Sequence, residues 1–343
     1  MIQLQHKPGR TTIIDGKEYL FFSGYSYLGL GCHDGFLQLV QEGLKEYGVV
    51  YPSSRISNTP LDIYSLFENK LAVLTASEAA AVFSSGFLSA RTAVEVVSQQ
   101  MNVYAQLPVH PASSQFNGIK IIQQSWEEFI EERKIAGENR FAIVADSINP
   151  TPGSFTDFNF LSALTSSFEI TLIIDDSHGI GWMGNKGEGI GSRLQLPANV
   201  DLIHNFSLSK AFHINAGAVC ASGKWIQAVK EHINFTTSTP PMPALAYAFL
   251  NADSFFALQR QQLMDNIQYL QNLNATATFA ANEGTPVFLV HKQSVAPYLL
   301  QHNVIISSFG YPHPLDNPVN RVVVNALHTK SDLEKLVELI SEY

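Results

Sequence analysis

Cysteine is almost missing from this chain, with two in 343 residues, Cys32 and Cys220, far apart and in no paired spacing. A disulfide framework and a cysteine-bound zinc are therefore not expected, and a reducing cytosol fits best. Charge is also sparse. Charged residues make up 15% of the chain, and the net charge is −9. A broad nucleic-acid surface needs the opposite sign, so none is expected. No stretch approaches the ~20 apolar residues of a membrane span. The N-terminal sequence MIQLQHKPGRTTIIDG has no long apolar core and no cleavage-like site, so no signal peptide is read there. Internal repeats and low-complexity tracts are missing too. What remains is 45% hydrophobic, a composition that buries a core. The length suits one large domain with a smaller one attached.

Three short apolar runs read as strands: 141–145 (FAIVA), 170–174 (ITLII) and 217–221 (GAVCA). None alternates with polar residues, as expected of strands covered on both faces of an open α/β sheet. Helical spacing marks 34–47, 61–74 and 88–97 between them. The alternation predicts a layered α/β fold. Beyond the prolines of TSTPPMP the character changes. A long helix is expected over 244–273, strands over 286–290 and 321–324, and a last helix capped by Ser331 and Glu334. The expected division is an N-terminal arm over 1–45, a large domain over 46–240, and a small α+β domain over 241–343.

Four segments carry candidate chemistry. IIDDSHGIGWMG ends an apolar strand in Asp175, followed by His178 on the same turn. Ligands of open sheets bind at the carboxyl ends of strands, although an Asx turn explains the same residues. In NFSLSKAF, Lys210 follows Ser207 and Ser209 among small residues. There it is either a desolvated nucleophile or a solvated loop lysine. VFSSGF runs from a strand through Ser84, Ser85, Gly86 and Phe87 into a helix, which gives either a phosphate site or an ordinary N-cap. In VHPAS, His110 either stacks on a planar ligand or packs.

Taken in order, these segments resemble one family. SGYSYLGL, SSRIS, FSSGF, VHPAS, IIDDSHGIGWMG, SLSKAF, FTTSTPP and NRVVVNALHT follow the motif order of the α-oxoamine synthases, among them 8-amino-7-oxononanoate synthase. The resemblance runs from about Gly9 to the C-terminus. It implies the type I fold of pyridoxal-phosphate enzymes, with a mostly parallel sheet in the large domain. It also implies a homodimer with shared active sites. The expected reaction joins a small amino acid to an acyl thioester, on CoA or a carrier, with loss of CO2.

Residue by residue, the resemblance makes Lys210 the lysine that carries pyridoxal 5'-phosphate and sets Asp175 on its ring nitrogen. His178 would meet the phenolic oxygen and His110 the ring face. Ser85, Gly86, Phe87 and Ser207 would hold the phosphate, with Thr236 and Thr237 supplied to the neighbouring subunit's site. Arg321 would clamp the amino acid's carboxylate. No metal is expected. The chain departs from the family at Tyr25, where the pattern has Asn, and near Pro150, where it has Ser. Tyr25 is therefore assigned to the substrate. An aminotransferase, another enzyme of the same cofactor, and a non-catalytic relative are the alternatives.

Overall fold

The computed structural model describes residues 2–115, 117–149, 151, 153–163, 168–273, 279–280, 284–310 and 315–343. Pro150 lies outside them. The strands are, in chain order, β1 (Thr11–Ile14), β2 (Lys17–Phe22), β3 (Ala79–Phe83), β4 (Asn102–Gln106), β5 (Ile119–Ile122), β6 (Arg140–Asp146), β7 (Ile148–Asn149), β8 (Ser154–Phe155), β9 (Glu169–Asp175), β10 (Val200–Ser207), β11 (Gly217–Ala221), β12 (Val287–Val290), β13 (Val304–Phe309) and β14 (Val319–Val323).

Seven of them form the main sheet, in the order β3-β11-β10-β9-β6-β4-β5. Its pairings are parallel except for the two that β11 makes. The apolar runs explain the burial. Along β9, Ile170, Leu172 and Ile174 enter one core cluster and Ile173 the other. Along β6, Phe141 and Ile143 face the first cluster, while Ala142 and Val144 face the second. Strands without polar alternation are thus buried on both faces, as the sequence pattern requires.

A second, five-stranded sheet has the order β1-β2-β13-β14-β12. Strand β2 runs parallel to β13, so both ends of the chain share this sheet. His328 fastens the join. It is 2% exposed. Its Nδ1 accepts from the Asn325 N–H at 3.0 Å, and its Nε2 lies 3.1 Å from the Phe21 carbonyl.

Two helical expectations shift. The long helix expected over 244–273 is broken at Ala252 into Pro243–Asn251 and Asp253–Leu273. Ala252 leaves helical geometry (φ −101°, ψ 14°), and the Asn251 amide turns back to the Tyr247 carbonyl at 2.8 Å. Asn and Asp beside it favour such local bonds over helix continuation. The last helix, Lys330–Glu342, is capped by Thr329 and Asp332 rather than by Ser331 and Glu334. Asp332 is held there because Arg10 grips it at 2.7 and 2.9 Å.

Candidate active site

Because β4, β6, β9 and β10 run parallel, their carboxyl ends open on one edge of the sheet. The residues at those ends line a cavity of about 750 Å³. From β9 come Asp175, Ser177 and His178, from β10 Ser207, Ser209 and Lys210, from β6 Asp146, and after β4 the stretch Leu107–His110. The turn after β3 adds Ser85, Gly86 and Phe87, and the small sheet contributes Arg321 and Phe309. Tyr25 enters from the segment after β2.

Backbone geometry sets the floor. The Ser85 side chain accepts from the Leu88 N–H at 3.2 Å and starts the helix Gly86–Ser98. A Cβ on Gly86 would stand 2.5 Å from the Ser207 Cβ, and one on Gly217 would stand 2.4 Å from the Ser85 carbonyl. Glycine is required where this helix start meets the ends of β10 and β11. Free N–H groups of a helix start, with serine hydroxyls beside them, suit a phosphate. Ser207 and Ser209 share a 2.7 Å hydroxyl contact at this place. Ser84 is not among the lining residues.

The charged groups are close-set. The Asp175 carboxylate accepts from the Ser177 N–H at 3.0 Å. Burial lowers the Lys210 pKa below the usual lysine value, while Asp175, Asp146 and Asp176 pull it back up. A desolvated lysine of this kind supplies neutral amine more readily than a surface one. Its Nζ lies 5.8 Å from the Tyr25 ring centre. Burial is the main cause that lowers the His178 pKa well below the ordinary imidazole value, and positive charge on the neighbouring Lys210, His110 or Arg321 would lower it further. His110 is lowered too, chiefly by burial. Its Nδ1 accepts from Ala112 N–H at 3.1 Å.

Arg321 has an unusual position for a guanidinium. It is 2% exposed, and its Nε and Nη2 are buried without a hydrogen-bond partner among the described residues. Phe309 covers it, with the guanidinium carbon 4.7 Å from the ring centre. A buried cation with unpaired N–H groups is costly unless an anion completes it, and the planar fork of arginine matches a carboxylate. Tyr25 lies within the field of Arg321, and burial raises its phenol above the ordinary value.

The cavity therefore gathers Lys210, Asp175, His178, His110, Ser85, Gly86, Phe87, Ser207, Arg321 and Tyr25. It does not gather Thr236 and Thr237, whose hydroxyls bond within their own turn to carbonyls of His232 and Ile233. It adds Asp146, which sequence reading missed. The strand was read as ending at Ala145, one residue short. Asp146 pairs in register with Asp175, and its carboxyl accepts from the His110 N–H at 3.2 Å. Burial, and next the neighbouring Asp175, push its pKa well above the usual carboxylate range. A carboxylate at the end of a parallel strand beside Asp175 was the available signal.

The family described as aminotransferase class I and II matches residues 50–340. The chain belongs to that family. An 8-amino-7-oxononanoate synthase of Thermosipho melanesiensis is 25% identical, over 98% of this chain and 90% of that one. A serine palmitoyltransferase of Sphingobacterium spiritivorum is 26% identical, over 98% and 89%. A solved high-resolution structure of SPT with PLP internal aldimine superposes with a TM-score of 0.85 at 16% identity, covering 100% of this chain and 92% of that one. The resemblance to α-oxoamine synthases and the type I α/β fold stand.

The residues present fit pyridoxal phosphate. A half-buried lysine, a carboxylate on the adjacent strand, a histidine on the turn that follows it and a glycine-lined helix start all face one space. Among the described residues no helix is long and apolar enough to cross a membrane.

Proposed function

We propose that this chain is a pyridoxal-phosphate-dependent acyltransferase of the α-oxoamine synthase type. It joins a small amino acid to an acyl thioester, on CoA or a carrier protein, and yields an α-amino ketone, CO2 and the free thiol. The observation that carries the reading is Arg321, a buried guanidinium whose Nε and Nη2 have no partner among the described residues, in the same cavity as Lys210 and Asp175. A substrate carboxylate supplies the missing anion, and Tyr25 completes its binding where relatives carry Asn.

When bound, the cofactor supplies an electron sink for charge left on the substrate's α-carbon. Lys210 attaches the cofactor and, as a neutral amine, moves the α-proton. Asp175 holds the ring nitrogen in its protonated form. Asp146, whose carboxyl burial pushes toward its protonated form, stands beside Asp175. His178 holds the phenolic oxygen and His110 lies on the ring face. Ser85, Gly86, Phe87 and Ser207 take the phosphate. Thr236 and Thr237 serve the same phosphate in a second copy of the chain, in a homodimer working in the cytosol. Phe87, Leu107 and Phe309 stay exposed at the cavity wall, and an apolar rim of this kind suits an acyl chain.

The test is to incubate the holoenzyme with carboxyl-labelled small amino acids and acyl-CoA thioesters of graded length. The expected result is labelled CO2 and free thiol in equal amounts, only when both substrates are present. Transfer of the amino group to a keto acid without CO2 would replace this reading by an aminotransferase. No turnover with any pair, despite bound cofactor, would leave a binding protein.

A further inference from the structure

Tyr27 is fully buried, and its phenol lies 2.7 Å from Nδ1 of His178. Both partners are neutral. Burial is the main cause that keeps the Tyr27 proton on, well above the ordinary phenol range. His178 is neutral for the reasons given above. A neutral imidazole has one N–H and one bare nitrogen, and its hydrogen bonds decide which is which.

Here the choice follows from counting donors. The Tyr27 hydroxyl has no other hydrogen-bond partner among the described residues. If Nδ1 carried the ring hydrogen, the phenol hydrogen would be buried with nothing to accept it, which is expensive. The phenol therefore donates to Nδ1, and the ring hydrogen sits on Nε2. One more contact opposes a ring flip. The Tyr25 ring meets the imidazole edge-on, with centres 4.8 Å apart and planes at 88°. The turn that carries the ring is itself held, since the Trp182 indole N–H donates to the His178 backbone carbonyl at 2.6 Å.

We propose that Tyr27 is a positioning residue that fixes His178 as its Nε2–H tautomer, so that His178 presents a hydrogen-bond donor to the cavity. The donor's target, the phenolic oxygen of the cofactor, rests on the function proposed above; the tautomer does not. Donation to that oxygen favours its anionic form, so a single hydroxyl outside the cavity lining would set a property of the cofactor.

The test has two parts. Nitrogen NMR of holoenzyme and cofactor-free protein labelled in histidine reads the tautomer, with the His178 signals assigned by their loss in His178→Asn. The expected spectrum shows a bare Nδ1 and a protonated Nε2 in both forms. A protonated Nδ1 in the wild-type chain overturns the proposal. The second part compares Tyr27→Phe, which deletes only the hydroxyl. The cofactor's visible band and the pH at which it titrates should both move. The kcat should fall on the order of ten- to hundred-fold, the range typical of a lost partner that orients a working imidazole. In the His178→Asn background the same change should leave the band where it is. An unmoved band in the single variant, with only a lower melting temperature, would make Tyr27 merely structural. Failure to bind pyridoxal phosphate would sink the functional reading and leave the tautomer result standing.

Discussion

Lys210 illustrates how much one residue gains from its setting. In sequence it is a lysine among small residues, and for a lone lysine the solvated reading outweighs the functional one. In the fold it is half-buried beside Asp175 and Asp146, and desolvation outweighs their pull on its pKa. The sign is definite. A lowered pKa means that neutral amine accumulates at a lower pH than for an ordinary lysine. The rate at which cofactor-free protein takes up pyridoxal phosphate should therefore rise with pH and level off before the ordinary lysine value is reached. Rapid-mixing absorbance reads this rate, and a plateau appearing only above that value would contradict the assignment. Asp175, His178 and Arg321 were legible because they sit in ordered motifs. Asp146 was not, because its significance is a register pairing with a strand distant in sequence.

At the scale of elements, apolar runs and helical spacing located what is locally encoded. The helix Asp34–Tyr47 and strand β11 stand where the spacing placed them. The hairpin of β1 and β2 was not legible, since TTII and KEYLFF gain their sheet only by meeting β13 from the far end of the chain. His328 is the fastener of that meeting, and it carries a pH cost. Its pKa is lowered from 6.5 to about 4, mainly by burial. Between those values the unfolded chain binds a proton that the folded chain refuses, so stability rises with pH and is lost as the solution is acidified. Between pH 6.5 and 5 the loss from this residue is about 2 kcal/mol. Urea unfolding at the two pH values measures it. The His328→Gln variant should show a shallower pH slope; an unchanged slope would place the acid sensitivity elsewhere.

At the scale of the whole molecule, Thr236 and Thr237 stand apart from the other site residues. They are absent from the cavity of their own chain, and their turn carries the exposed Ile233. On the homodimer reading they reach a second copy. Sedimentation should give twice the 37.8 kDa chain mass. The Thr237→Ala variant should weaken pyridoxal phosphate binding roughly ten-fold, which is about 1.4 kcal/mol, while sedimenting as the wild type does. A monomer that binds the cofactor fully, or a variant with unaltered affinity, would remove these threonines from the site. No single-chain pattern encodes a contact between copies, which is why this part of the site rests on family resemblance alone.

On the function proposed above, one lysine of this chain carries the cofactor. Reducing the holoenzyme with borohydride and mapping its peptides by mass spectrometry tests it directly. The expected result is a single modified residue, Lys210, with the modification and the visible absorbance both absent from Lys210→Ala. Reduction that leaves every lysine unmodified, or that marks another lysine in the wild-type chain, would contradict it.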